Sequence, residues 1–211
     1  MGRKKSTEND TMATRERILE TAEQLFKQVG YAKTTVADIA DSLGMSPANI
    51  YRFFSTKGQI NEEVCDRLVR SIEERCRQSV QDGGGSLERI RGFILSYYRL
   101  IRATLLKGDK LYDMIPIAME QKWPIIHDHS ERMRSVLLAL VEQGIAAGEI
   151  RQMDGYTLAR ALHQSITTFI YPPLLARWVS NNADAEQRGN VEEQLGFLLD
   201  LLFEGMVSSR G

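Results

Sequence analysis

The stretch from Thr34 to Lys57, T-T-V-A-D-I-A-D-S-L-G-M-S-P-A-N-I-Y-R-F-F-S-T-K, constrains the fold more than any other part of the chain. It reads as two short helices joined by a tight turn. Thr34 is placed to cap the first helix, and Val36, Ile39, Ala40 and Leu43 follow at helical spacing. Gly44 stops that helix, because glycine enters the left-handed conformation without steric cost. Ser46 then caps a second helix with Pro47 at its first position, where a missing N–H costs nothing. Ile50, Phe53 and Phe54 give the second helix an apolar side and leave Ala48, Asn49, Tyr51 and Arg52 on the other. Such a face is small and polar, with one aromatic ring and one cation. It suits a helix that enters a DNA groove and touches base edges and phosphates.

Helix–Gly–helix patterns also occur in ordinary helical proteins, so the upstream residues matter. Ile18, Leu19, Ala22, Leu25, Phe26 and Val29 form an amphipathic helix ended by Gly30. Together the three helices have the size of a minimal DNA-binding head. Lys and Arg only slightly outnumber Asp and Glu within residues 1–60, and the whole chain carries a net charge of −1. This balance argues against strong non-specific DNA binding and leaves a site-specific reading intact, since that depends on a few well-placed cations.

Residues Arg15 to Val64 resemble the N-terminal DNA-binding domain of TetR-type transcriptional regulators. The motifs that carry the resemblance are A-x-x-L-F from Ala22, G-Y-x-x-T-T-V-x-D-I-A from Gly30, L-G-x-S from Leu43, and I-Y-x-x-F-x-x-K from Ile50. Matched position by position, the resemblance implies that the reading helix begins at Ser46. Thr35 would donate to a phosphate, and Pro47, Ala48 and Asn49 would face base edges. Tyr51 and Lys57 would grip the backbone, Arg52 would do either, and Phe53 would pack.

The expected fold is all-α: a three-helix head with a helix-turn-helix, then a larger helical ligand-binding and dimerisation domain, about nine helices in total. Residues 1–11 read as a disordered basic tail able to touch DNA, residues 12–60 as the DNA-binding domain and residues 61–211 as the second domain. A long helix from Lys57 carries Ile60, Val64, Leu68 and Ile72 every four residues and ends near Val80, before the break at Gln81 to Ser86. Starting in the head and ending at this break, it joins the two parts mechanically. Beyond it come a helix through Ile90 to Ile101, an interruption at Lys107-Gly108-Asp109, and a helix from Leu111 to Met119 kinked at Pro116. Another opens at Trp123-Pro124, with Gly144 and Gly148 ending it near Ala147. Asp154 caps the next, which Tyr171-Pro172-Pro173 breaks. A polar loop spans Ser180 to Asn190, and a last helix carries Val191 to Met206. No stretch alternates long enough to predict a sheet.

Tyr97, Met114 and Trp123 belong to a set of bulky side chains that usually pack a core. The resemblance implies a small-molecule site in the same region, and these three are its candidate lining residues. The ligand would be small and apolar or amphipathic. His127-x-His129 diverges on a helix, so no shared metal is expected, and Glu73-Glu74 and Glu192-Glu193 look like solvated helix faces. No cofactor is implied. Cys65 and Cys76 lie about 16 Å apart along one helix and read as reduced thiols.

Small or polar interruptions at Ala159, Ala161, Ser165 and Gly196 in two apolar helices predict a four-helix interface with a second chain. A homodimer would place two reading helices about 34 Å apart on a palindromic operator. The expected function is therefore a homodimeric, ligand-released repressor. An activator or a ligand-independent regulator would use the same head. From another class, a helical adaptor would present Tyr51 and Arg52 to a protein instead. Catalysis is not expected: there is no nucleophile elbow, phosphate loop or metal cluster. No apolar run reaches membrane-span length, which makes a cytoplasmic location the default expectation.

Overall fold

The structure, a computed structural model, describes residues 3–80, 84–106, 110–180 and 191–207, with side chains from residue 9 to residue 177 and in the last segment. Among these residues there are eleven α-helices and one 3-10 turn, and the only β-type pairing is an isolated bridge between Ile150 and Val207. The chain divides into two compact units. The first comprises Met1–Leu68 with Gly108–Ile125, and the second Val69–Lys107 with Ile126–Gly211.

In the first unit, α1 (Arg3–Val29) buries Ile18, Leu19, Ala22 and Phe26, the spacing its sequence predicts. The helix begins at Arg3, well inside the segment read from sequence as a disordered tail. Gly30 follows at φ 90° and turns the chain. Helices α2 (Val36–Leu43) and α3 (Pro47–Ile50) pack against each other, and α2 packs on α1. α4 (Lys57–Gln78) closes this core with Ile60, Val64, Cys65 and Leu68.

The first unit also takes in a segment from the middle of the chain. A 3-10 turn (Lys110–Asp113) and α6 (Met114–Glu120) belong to it, and the turn lies against α1. Lys110 Nζ donates to the Gln28 carbonyl at 3.0 Å, while Leu111 and Met114 are buried. The single helix expected from Leu111 to Met119 is thus two pieces. Pro116 does not kink a continuous helix; it sits in the first turn of α6, where no intrahelical N–H is needed.

In the second unit, α5 (Ser86–Leu106) touches α9 (Thr167–Ile170), α10 (Pro172–Ser180) and α11 (Val191–Glu204). It buries Ile90, Phe93, Ile94, Tyr97, Tyr98 and Ile101. Arg99 Nε donates to Glu192 Oε1 at 2.9 Å, and Arg91 pairs with Asp200, which ties α5 to α11 at two levels. α7 (Pro124–Ala146) and α8 (Gly155–Ser165) complete the unit, with Asp154 capping α8 by accepting from Thr157 N at 3.1 Å.

Gly144 does not end α7. It lies inside the helix, where a Cβ would stand 2.6 Å from Ile150 Cδ1 and 2.9 Å from Ser86 Cβ. The turn is made by Gly148 at φ 74°, beyond the helix. The predicted interruption at 107–109 and most of the polar loop before Val191 lie outside the described residues.

Candidate functional site

Local chemistry fixes the α2–α3 turn. Thr35, not Thr34, is the N-cap of α2, with φ −105° and ψ 165°. Its Oγ1 accepts from Asp38 N at 3.1 Å, and its backbone N–H donates back to Asp38 Oδ2 at 2.7 Å, so the two residues form a capping box. The Thr35 hydroxyl also donates to Asp38 Oδ2 at 2.8 Å. These bonds from Thr35 hold the exposed Asp38 carboxyl below its ordinary range. Thr34 is buried instead, and its hydroxyl donates to the Gly30 carbonyl at 2.9 Å, securing the end of α1.

Gly44 takes φ 65°, Met45 N bonds to Ala40 O at 2.9 Å, and Ser46 caps α3 by accepting from Asn49 N at 3.3 Å. α3 proper is one turn long. Its path continues through Arg52, Phe53 and Phe54, whose N–H groups bond back to Asn49 and Ile50. Ile50 and Phe54 are buried, and the Arg15 guanidinium stands 4.7 Å over the Phe54 ring while pairing with Glu63. The opposite side is open: Ser46, Pro47, Ala48 and Arg52 are exposed, Tyr51 is half-exposed and Asn49 is part-buried. One continuous surface thus offers a hydroxyl, an amide, a phenol and a guanidinium.

Lys57 is partly buried, and its ammonium donates to the Tyr31 carbonyl at 2.8 Å. Burial pulls its pKa down, opposed by the charge of Asp38. In the free protein, Lys57 therefore braces the α1–α2 connection from the start of α4. Sequence reasoning missed Tyr31 and Asp38 as supports of this surface, although the T-x-x-D spacing of the capping box was there to read.

The three residues read as ligand-lining separate between the units. Met114 is fully buried in the first unit, and Trp123 belongs there too, its indole N–H donating to Gln121 at 3.0 Å. Tyr97 is buried in the second unit, within a polar cluster that the sequence did not announce. Its hydroxyl meets His129 Nε2 at 2.8 Å, His129 Nδ1 meets Glu73 Oε1 at 2.8 Å, and Arg132 Nε donates to Glu73 at 2.9 and 3.0 Å.

Glu73 is 2% exposed, which corrects its reading as a solvated face; Glu74, its neighbour, is exposed. Burial alone would raise the Glu73 pKa, but the hydrogen bonds and charges of His129 and Arg132 outweigh it and bring it down to about 2. Burial raises Tyr97 well above the ordinary phenol range, so its O–H stays protonated within its hydrogen bond to His129 Nε2. In the structure Glu73 lies on the buried stripe of Val69, Ile72 and Cys76 on α4. Among the described residues no group of three His, Cys, Asp or Glu is placed to hold a metal ion.

A capped helix-turn-helix with an open polar face, in a chain whose described residues are mostly helical, is the arrangement of a DNA-binding head. The chain belongs to the TetR family. Residues 18–64 match the profile of bacterial regulatory proteins of the tetR family, and residues 87–189 match that of the tetracyclin repressor-like C-terminal domain. The HTH-type transcriptional repressor KstR2 of Mycobacterium tuberculosis is 28% identical over 64% of this chain and 68% of its own. The HTH-type transcriptional regulator TtgR of Pseudomonas putida is 26% identical over 93% of this chain and 94% of its own. The fold matches the crystal structure of a TetR-family transcriptional regulator from Pectobacterium atrosepticum with TM-score 0.68 at 17% identity, covering 95% of this chain and 97% of that one. The protein is accordingly a DNA-binding transcriptional regulator and not an enzyme. No described helix is long and apolar enough to cross a membrane.

Proposed function

We propose that the protein is a homodimeric cytoplasmic repressor that a small apolar or amphipathic ligand releases from a palindromic operator. The observation that carries the DNA part is the open face from Ser46 to Arg52, held by the Thr35–Asp38 and Ser46 caps. Pro47, Ala48 and Asn49 are assigned to base edges, Thr35, Tyr51 and Lys57 to phosphates, and Arg52 to either. To reach a phosphate, the Thr35 hydroxyl exchanges Asp38 for it, and Lys57 uses ammonium hydrogens that the Tyr31 carbonyl leaves over.

Dimerisation is supported by α11, which buries Leu195 and Leu199 yet exposes Phe197 at 65% and Leu201 at 51%. Two large apolar side chains one helical turn apart on a solvent face suit a partner helix, and no Cβ clash is present at Gly196 beside them. The named repressor KstR2 among the relatives favours repression over activation.

Release requires only that the ligand prefer a conformer in which the heads are wrongly placed for the operator. A coupling of about 3 kcal/mol would lower DNA affinity roughly 150-fold. α4 begins in the first unit and ends in the second, and it carries both Lys57 and Glu73, which makes it the natural route. Selection from random-sequence DNA with the full chain tests the reading. It should return a two-fold symmetric site with half-sites about 34 Å apart. Enrichment of a lone half-site, or of nothing, would reject the dimeric operator.

A further inference from the structure

The second unit carries an open groove of about 440 Å³ between the end of α4, the start of α5 and the middle of α7. Its walls hold three arginines, Arg77, Arg89 and Arg132, over an aliphatic floor of Val80, Val136 and Leu140. Like charges gathered in one groove repel unless anions sit among them, so the carboxylates in reach decide what the groove is for.

Of the three arginines, Arg132 alone is shown hydrogen-bonded to a carboxylate among the described residues. Arg132 Nε bonds to the buried Glu73 at 2.9 Å. Arg77 makes two looser ion pairs, 3.7 Å from Glu73 and 3.6 Å from Glu74, both beyond hydrogen-bond length, and its side chain is half exposed. Arg89 meets neutral acceptors, donating from Nε to the Val80 carbonyl at 3.3 Å and from Nη1 to the Gln143 side chain at 2.9 Å. Those two bonds fix its plane at the groove wall and leave Nη2 without an acceptor among the described residues.

Two guanidinium groups with donors to spare, over an apolar floor, make a mixed site. A neutral apolar molecule would desolvate the arginines without pairing them. A bare inorganic anion would leave the floor wet. A volume of this size lies within the usual range of small-molecule sites, about 300–1,000 Å³.

We propose that this groove binds a small organic anion, a carboxylate or phosphate on a short aliphatic body. The anionic head is held by Arg77 and Arg89, and the body covers Val80, Val136 and Leu140. Planar forked donors favour such oxygen pairs over a point contact. An anion at Arg77 also draws that side chain off Glu73. The perturbation then runs through Glu73 to His129 and Tyr97, the buried cluster that joins α4, α7 and α5. Its effect on DNA rests on the ligand-release reading above; the binding itself does not.

Isothermal titration of the full chain with octanoate, octyl phosphate, 1-octanol and inorganic phosphate tests the site. Octanoate or octyl phosphate should bind one per chain, and the tighter of the two identifies the head group. Octanol and inorganic phosphate should bind at least tenfold more weakly. Arg89→Gln should weaken the anion at least tenfold, and Ala139→Trp, at an exposed position on the groove wall, should block it. Circular dichroism melts of both variants check that they fold, and Arg77→Gln supplies a third if either does not. The proposal is overturned if neither alkyl anion binds, if octanol binds as tightly as they do, or if folded variants bind as tightly as the native chain. Anion binding that leaves an operator complex intact keeps the groove site and rejects ligand release through it.

Discussion

Replacing Glu73 with Gln probes the buried cluster of the second unit. The carboxylate accepts from His129 Nδ1 and Arg132 Nε, so both of its neighbours are donors. Oε1 accepts from both His129 Nδ1 and Arg132 Nε, so Gln with its oxygen there still serves both but turns an N–H₂, in the place of Oε2, toward Arg132 Nε; flipped, it turns the N–H₂ toward both donors. A tautomer change at His129 does not help, because Nε2–H would then face the Tyr97 hydroxyl and strand its proton. One buried donor is left unmatched in every arrangement, and Arg132 loses its counter-charge.

Removing one partner of a buried ion pair costs about 3–5 kcal/mol, and the partial exposure of Arg132 puts this case at the low end. The lowered pKa gives a figure of the same size: a fall from the ordinary 4.5 to about 2 corresponds to stabilisation on the order of 3 kcal/mol. The carboxyl pKa is lower folded than unfolded, so this stabilisation is complete above pH 4.5 and disappears as the pH falls toward 2. Urea unfolding at fixed protein concentration should show Glu73→Gln less stable by about 3 kcal/mol near neutrality with an unchanged m-value. The gap to the native chain should narrow through the acid range. A loss below about 1 kcal/mol, or a gap that stays constant with pH, would refute the reasoning.

Three other perturbations follow from the geometry. Thr35→Ala removes the acceptor for Asp38 N–H and should lower stability by about 1 kcal/mol in urea unfolding, with operator affinity falling beyond what the lost stability explains. Gly144→Ala drives a methyl group to 2.6 Å from Ile150 Cδ1 and should cost about 1–3 kcal/mol, read as a lowered melting temperature. Burial pushes the Cys65 and Cys76 thiols up to about 12, so a disulfide reagent near neutral pH should label neither in the folded chain and both after denaturation.

The sequence made the first unit's turn legible because its determinants are local. Gly44, Ser46 and Pro47 act on neighbours within four residues, and the structure places each as the spacing predicts. The cap shifted from Thr34 to Thr35 because adjacent threonines compete. Asp38 lies three residues after Thr35, and the Thr34 hydroxyl finds the Gly30 carbonyl. What depends on distant residues was not legible. Glu73 looked solvated beside Glu74, yet its partners lie 56 and 59 residues away on α7. The 3-10 turn at 110–113 packs on α1 through a contact 82 residues long in sequence, which no local pattern encodes. Gly144 shows the same limit: helix interiors and helix ends both use glycine, and only the approach of Ile150 and Ser86 tells which is present.

The central claim is that the face from Ser46 to Lys57 reads a DNA sequence through a few separable contacts. Fluorescence anisotropy of the full chain on its selected operator and on single-base variants, over a range of salt concentration, tests it most directly. Lys57→Met should weaken binding to every sequence alike and reduce the salt slope by about one unit per head. Asn49→Ala should leave the salt slope unchanged and relax discrimination at one base pair in each half-site, by about 1–3 kcal/mol. Native affinity and native discrimination in both variants would contradict the account.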